Sequence, residues 1–169
     1  MSAAISVTTA RLLIEPLSLN DTKFMLELVN TDGWIRFIGN RNIFSEEAAN
    51  AYIQRIIDNE TITYWTVKLK TKKTKIGIIT FIKRNYLEHP DIGFAFLPNF
   101  CNNGYAYEAT DAILNNLIST HNLSHILATT IPENSSSIKL LKKLNFRFEK
   151  EMQANETLLH VYGISGDKN

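Results

Sequence analysis

The hydrophobic period of this chain changes near Ile62, and that change limits the folds it can adopt. Between Ser45 and Ile57 the apolar residues recur at helical spacing, which predicts an amphipathic helix capped by Ser45. From Ile62 onward they recur with the period of strands. Segments 62–69 and 75–82 flank a lysine-rich turn and predict an antiparallel hairpin. A chain that mixes helices and hairpins in this way is expected to pack helices on a sheet.

Turn and cap residues divide the rest of the chain in the same manner and predict the order β-α-α-β-β-β-α-β-α-β-β. We therefore expect one α/β domain over residues 1–169. Its central sheet should be mixed but mostly antiparallel, with about seven strands and with helices on both faces. The predicted strands are 11–17, 62–69, 75–82, 91–97, 125–131, 146–152 and 157–164, and the predicted helices are 20–30, 45–57, 103–121 and 134–144.

Composition excludes several classes of function. Eighteen basic residues against seventeen acidic ones give a net charge of +1, which argues against a broad nucleic-acid surface. Cys101 is the only cysteine, so no internal disulfide and no cysteine-based metal site is expected. No apolar run approaches the ~20 residues that span a bilayer, and Met1 to Thr9 lack a signal pattern. We expect a cytoplasmic monomer or homodimer without nucleic-acid or membrane partners.

The segment from Leu97 to Ala109 predicts a phosphate-binding loop. It reads as a strand that ends at Pro98, a loop containing Asn102, Asn103 and Gly104, and then a long helix. Glycine lets backbone N–H groups approach an anion, and the helix dipole adds to their attraction. A strand–loop–helix joint without a ligand is the alternative reading. A Rossmann-type dinucleotide loop would need more glycines and an earlier position, so the sequence excludes it.

A second segment begins at Asn134, which is well placed as a helix cap. Capping alone is the simpler explanation of Asn134 when its segment is taken by itself. The patterns that matter together are Gly104-Tyr105-Ala106-x-Glu108-Ala109, Asn134-x-x-Ser137-x-x-Leu140-x-x-x-Leu144-x-Phe146 and the opening Thr9-Ala10-Arg11-Leu12-Leu13-Ile14. Together they resemble the GNAT family of acetyl-coenzyme A-dependent N-acetyltransferases. Within it they look like the Rim-type branch, which acetylates protein N-termini. The resemblance extends over about residues 8–165.

The resemblance implies acetyl-coenzyme A as the cofactor and no metal. Cys101 stands where the family has Gln or Arg, so the backbone amides of the loop are expected to hold the pyrophosphate. Pantetheine is expected to pair with the backbone of Phe96 and Leu97. The residues implied in cofactor binding are Phe96, Leu97, Cys101, Asn102, Asn103, Gly104, Tyr105, Ala106, Asn134 and Ser137.

In the family reaction an amine attacks the acetyl thioester directly. Asp91 begins a strand where many relatives carry a glutamate base, so it is the expected catalytic base, acting through water. An exposed carboxylate at a strand end is the alternative. Leu141 stands where many relatives place a tyrosine general acid.

Substrate contacts are expected from the connection between the first two predicted helices. The candidate residues are Trp34, Arg36 and Phe37. The alternatives are that Trp34 and Phe37 belong to the core and that Arg36 is a solvated surface residue.

The sequence thus predicts an N-acetyltransferase whose acceptor is a protein N-terminal α-amine or a small-molecule amine. Presenting a neutral lysine amine at pH 7 costs roughly 4–5 kcal/mol, against about 1 kcal/mol for an α-amine. That difference favours an α-amine where no strong base is evident. A catalytically inactive coenzyme A-binding sensor or interaction domain is the alternative function.

Overall fold

The fold is built on one eight-stranded sheet. The computed structural model describes residues 4–166. The strands are β1 (Val7–Thr8), β2 (Leu12–Pro16), β3 (Ile62–Leu69), β4 (Lys75–Ile82), β5 (Asp91–Phe96), β6 (His125–Thr130), β7 (Arg147–Ala154) and β8 (Thr157–Ser165). Their order in the sheet is β1-β2-β3-β4-β5-β6-β8-β7. Every neighbouring pair is antiparallel except β5 and β6, which run parallel.

Helices cover both faces of this sheet. They are α1 (Thr22–Val29), α2 (Asp32–Phe37), α3 (Glu46–Ile57), α4 (Tyr105–His121) and α5 (Ser135–Lys143). One core cluster packs α1, α2 and α3 on one face, and a second packs α4 and α5 on the other. No helix in residues 4–166 is long and apolar enough to cross a membrane.

The predicted fold class is confirmed, with two additions. The sheet has eight strands rather than about seven because β1 pairs at its edge. Two residues are too few to show an alternating pattern, so the sequence did not reveal β1. Helix α2 was also unpredicted. It has six residues, and its first turn is capped by the side chain of Thr31, which accepts a hydrogen bond from the N–H of Trp34.

The parallel pair β5–β6 is joined at one end only. Its register consists of a single match, Asp91 with Leu127, and the N–H of Leu127 donates to the carbonyl of Pro90 at 3.0 Å. Beyond Asp91 the two strands are no longer paired, which opens the middle of the sheet. Helices α4 and α5 begin after β5 and β6 respectively, so both helix N-termini follow the strands that separate.

Arg11 and Glu108 tie the beginning of α4 to the edge of the sheet. The Glu108 carboxylate accepts hydrogen bonds from Nε of Arg11 at 2.7 Å, from the backbone N–H of Arg11 at 3.0 Å and from the Thr9 hydroxyl at 2.6 Å. Nη1 of Arg11 also donates to the carbonyl of Asn103 at 3.0 Å, and its guanidinium lies 4.4 Å from the centre of the Tyr105 ring. The loop before α4 is therefore held in place from outside.

Burial opposes ionisation of Glu108, but the hydrogen bonds from Thr9 and Arg11 and the charge of Arg11 outweigh it. The pKa of Glu108 is therefore lowered from its ordinary value. A carboxyl whose pKa is lower in the folded than in the unfolded state stabilises the fold above the unfolded pKa. That stabilisation is lost as the pH falls through the folded pKa.

We expect Glu108→Gln to lower the free energy of unfolding by about 1–2 kcal/mol at pH 7, because hydrogen bonds to a charged group are lost at a partly exposed site. The difference from the wild type should shrink at an acidic pH below the lowered pKa of Glu108, where Glu108 itself is protonated. Urea unfolding at both pH values measures this. Glu60→Gln removes an exposed glutamate elsewhere and serves as the control. Equal stability of Glu108→Gln and wild type at pH 7 would show that the tie contributes nothing.

Candidate active site

Two adjoining cavities occupy the opening between β5 and β6. The larger, of about 750 Å³, extends from β5 along the loop before α4 to the beginning of α5. The smaller, of about 410 Å³, lies over β3 to β6 and contains Asp91. They meet at the lining residues Trp34, Phe37, Ile38, Phe94, Ala95, Asn134 and Ser137.

The loop at the larger cavity exposes the N-terminus of α4. Gly104 precedes the helix with φ +79°, a left-handed conformation that favours glycine, and no side chain caps the first turn. A Cβ at Gly104 would stand 3.3 Å from Nη2 of Arg11. The first N–H groups of a helix have no intrahelical acceptor, and they carry the positive end of its dipole. This end of the cavity is therefore suited to an anion.

Some of the predicted loop residues line the larger cavity, and others contact Arg11. Cys101, Asn102, Gly104 and Ala106 line the larger cavity. Asn103 and Tyr105 do not line it, because the carbonyl of Asn103 and the ring of Tyr105 face Arg11.

Cys101 is an exposed free thiol, and its Sγ lies 3.6 Å from the carbonyl oxygen of Leu97. Partial burial of the thiol group against the loop nevertheless raises its pKa, which disfavours the thiolate that a nucleophile would need.

The register of β5 shows which backbone groups face the opening. The N–H of Leu97 donates to the carbonyl of Ile76 on the β4 side, at 2.9 Å. Backbone groups alternate in direction along an antiparallel ladder, so the N–H groups of Phe94 and Phe96 point away from β4, toward the opening. The ring of Phe96 packs closely against Gly77, where a Cβ added to the glycine would stand only 2.4 Å from Cδ1 of the ring.

The prediction for Leu97 is contradicted by this register. Its N–H is bonded to Ile76, its carbonyl accepts the N–H of Phe100 at 2.9 Å, and its buried side chain does not line the larger cavity. Phe94, three residues earlier, directs its N–H toward the opening instead. A shift of one residue along a strand reverses the direction of every backbone group, and the sequence does not reveal that register.

Asp91 lies in the smaller cavity and is buried, with 5% of its side chain exposed. The alternative of an exposed carboxylate is therefore wrong. Nε of Arg84 donates to Oδ1 at 2.9 Å, and the Thr129 hydroxyl donates to Oδ2 at 3.2 Å. Burial raises the pKa of Asp91, and although Arg84 and Thr129 oppose this, the pKa stays above its ordinary value.

Sequence reasoning missed Arg84 and Tyr64, both of which line the smaller cavity. Tyr64 on β3 lies opposite Thr80 on β4, which in turn lies opposite Gly93 on β5. Burial, together with the neighbouring Tyr52, raises the pKa of Tyr64 and keeps its hydroxyl protonated. Two features of the sequence could have indicated these residues. Polar residues occur within otherwise apolar strand segments, and an arginine stands just after one of those segments.

The substrate-binding candidates lie on different faces of α2, and only some of them reach the cavities. Trp34 is buried, and both Trp34 and Phe37 line the two cavities. The indole Nε1 of Trp34 is buried without a hydrogen-bond partner in the described part of the chain. The prediction that Arg36 contacts the substrate is corrected by the structure. Its side chain is exposed and lines neither cavity, and its guanidinium lies 4.9 Å from the centre of the Phe37 ring. Arg41, in the connection after α2, lines the smaller cavity instead.

Asn134 serves as a cap and also lines both cavities. Its Oδ1 accepts the N–H of Ser137 at 3.2 Å, and Ser137 lines both cavities too. Asn134 thus caps α5 and also lies at both cavities, and its contact with coenzyme A stays a prediction. Among residues 4–166, no group of three or more His, Cys, Asp or Glu residues is placed to hold a metal ion.

Comparison with known proteins agrees with this geometry. The chain is 35% identical over 144 residues to the uncharacterized N-acetyltransferase YnaD of Bacillus subtilis, covering 85% of this chain and 83% of that protein. A GNAT-family acetyltransferase from Bacillus anthracis has a similar structure, with a TM-score of 0.82 at 24% identity over 97% of this chain and all of the other.

RimL, a ribosomal L7/L12 α-N-protein acetyltransferase solved with coenzyme A, has a TM-score of 0.83 at 14% identity, over 95% of this chain and 98% of the other. At these identities both structures support the fold alone. The family model for the acetyltransferase (GNAT) domain matches residues 11–147. Because that match spans most of the chain and YnaD is similar over most of its own length, this chain belongs to the GNAT acetyltransferase family.

Proposed function

We propose that this protein transfers an acetyl group from acetyl-coenzyme A to an α-amine, in the manner of the Rim-type branch. One observation carries the proposal. Three features face one continuous pair of cavities: the N–H of Phe94, which has no partner among residues 4–166, the open N-terminus of α4 and the buried carboxylate of Asp91. The first two are sites for a carbonyl oxygen and a phosphate, and the third is a proton acceptor.

The larger cavity has residues that fit coenzyme A. The uncapped amides at Gly104 and Ala106 would hold its pyrophosphate without help from Cys101, and Phe96 would pair its amide with the pantetheine arm. Lys143 lines the same cavity near the Tyr107 ring and would place a positive charge by the 3′-phosphate. Asn134 and Ser137 would border the pantetheine where the two cavities meet.

Acetyl-coenzyme A supplies the acetyl thioester, whose C–S bond would break as the acceptor nitrogen forms the new amide bond, so that coenzyme A would leave as its free thiol. The N–H of Phe94 would donate to the oxygen of the thioester carbonyl as negative charge develops there, and a preorganised donor of this kind is worth about 3–4 kcal/mol in other acyl-transfer enzymes. The acceptor amine would enter through the smaller cavity. Asp91 would accept its proton through a water molecule, because each carboxylate oxygen keeps a free lone pair beside its bond to Arg84 or Thr129.

An α-amine suits this site better than a lysine. Asp91 is the only carboxylate that lines the smaller cavity in the described residues, and it is already paired with Arg84. A neutral lysine amine would have to be supplied at a cost of roughly 4–5 kcal/mol at pH 7, against about 1 kcal/mol for an α-amine. RimL, whose structure is similar, is named as an α-N-protein acetyltransferase, which agrees with this choice.

The pyrophosphate site is tested by Gly104→Asp and Gly104→Asn. Both new side chains tolerate left-handed backbone and favour a helix N-cap, so α4 should form in each variant. Only the aspartate variant adds a negative charge beside the pyrophosphate, which should weaken coenzyme A binding roughly 100-fold relative to the asparagine variant. Isothermal titration with coenzyme A measures the difference. Equal affinities for the two variants would show that the pyrophosphate does not bind these amides.

The role of Asp91 is tested by its pH dependence. A base acts in its deprotonated form, so kcat/KM should show an acid limb at the raised pKa of Asp91, in addition to the limb that protonation of the acceptor amine causes. Asp91→Asn should lower turnover by roughly 10²–10⁴-fold and remove the limb of Asp91 while leaving that of the amine, with coenzyme A affinity preserved. A profile that keeps both limbs in Asp91→Asn would exclude Asp91 as the base.

Arg84→Gln tests the direction in which the pKa of Asp91 shifts. Arg84 lowers the pKa of Asp91, so its removal should move the acid limb to higher pH. Thr129→Val removes a weaker influence and should move the limb in the same direction by less. A shift to lower pH in either variant would contradict the assignment.

A further inference from the structure

The charges on the walls of the smaller cavity are unevenly distributed. Arg41 and Arg84 line it, and Asp91 is the single carboxylate among its described lining residues. Asp91 and Arg84 form an ion pair, with Nε of Arg84 2.9 Å from Oδ1 of Asp91, so their charges largely offset each other. The charge of Arg41 has no such counterpart within this cavity.

Arg41 is also free of ion pairs elsewhere in the described structure. No carboxylate among residues 4–166 lies within 4.0 Å of its guanidinium. The guanidinium lies 6.0 Å from the centre of the Trp34 ring, at the wall where the two cavities meet. It therefore stands at the cavity that the amine would enter, with its planar set of donors available.

Two neighbouring polar groups can also donate hydrogen bonds. The indole Nε1 of Trp34 is buried without a hydrogen-bond partner in the described residues, so this donor is available to a bound acceptor. Tyr64, whose hydroxyl stays protonated, lines the same cavity. An acceptor that carried only positive charges would meet an unpaired arginine and a carboxylate that is already neutralised. Such a cavity disfavours a polyamine.

We propose that the acceptor is a primary amine that also carries a carboxylate, and that Arg41 binds this carboxylate. The inference rests on the proposed acetyl transfer to an α-amine and names the class of acceptor for that site. Arginine binds carboxylates through two parallel hydrogen bonds, which orients as well as attracts the acceptor. The surplus positive charge also lowers the pKa of a bound ammonium group, which helps to present the amine in its neutral form.

Two kinds of acceptor share this chemistry. One is a free amino acid, whose carboxylate is next to its amine, and the other is a peptide with an acidic side chain near its N-terminus. The test therefore uses amino acids paired with their own carboxamides. A second arm uses amidated tripeptides that begin with alanine and carry Asp or Asn at the second position. Spermidine is the cationic comparison.

Two measurements are made on each acceptor. Thiol release from acetyl-coenzyme A reports turnover, and calorimetry with the coenzyme A-loaded protein reports binding without chemistry. We expect the carboxylate member of at least one pair to surpass its neutral partner by about tenfold in kcat/KM and in affinity, or about 1.4 kcal/mol. The arm in which the preference appears identifies the source of the carboxylate.

Variants at Arg41 test whether this residue causes the preference for acceptors that carry a carboxylate. Arg41→Gln should reduce the ratio of carboxylate to neutral acceptor to within about twofold, and Arg41→Lys should retain part of it because the charge remains without the planar geometry. Arg36→Gln removes an arginine that lines neither cavity and should leave the ratio at its wild-type value.

The inference is overturned if neutral partners or spermidine serve as well as the carboxylates, or if Arg41→Gln leaves the ratio intact. Thiol release with such amines would leave the proposed acetyl transfer standing while removing this inference. No thiol release with any amine would instead overturn the proposed transfer. The binding ratios would still decide whether Arg41 recognises a carboxylate.

Discussion

The site of this protein depends on the separation of β5 from β6. The pair is joined only at Asp91 and Leu127, and beyond that point the inner edge of β5 has no partner strand among the described residues. Backbone groups of a central strand are normally all paired, and leaving one buried and unpaired costs about 1–3 kcal/mol. The opening therefore leaves the N–H groups of Phe94 and Phe96 available to a ligand. It also creates the space in which both cavities form.

The surrounding elements supply opposite chemistry on the two sides of this opening. On the α4 side, Gly104 leaves the first turn of a 17-residue helix uncapped, and Arg11 and Glu108 hold the loop from outside. On the α1–α3 side, burial raises the pKa of Asp91 while Arg84 and Thr129 keep it oriented. An anion-binding end and a proton-accepting end thus lie on either side of a strand with free amides, an arrangement suited to acyl transfer.

Much of the fold was predictable because its periodic segments are long. The strands 62–69 and 75–82 have the predicted bounds, and α4 and α5 begin within two residues of the predicted positions. Elements of two or six residues, such as β1 and α2, carry too little periodicity to be recognised. The loop at Gly104 and the cap at Asn134 were recognised because turn and cap residues have local conformational requirements, here φ +79° and an N-cap hydrogen bond.

The sequence by itself determined the fold class, the family resemblance and the loop that faces the larger cavity, since these follow from local conformation and from the order of elements. Only the tertiary structure decided that Phe94 rather than Leu97 presents its amide, that Arg41 rather than Arg36 lines the smaller cavity, and that Arg84 pairs with Asp91. The first choice depends on strand register, the second on the direction in which the α2 segment docks, and the third on a contact between the ends of β4 and β5. None of these is encoded in the identity of a single residue.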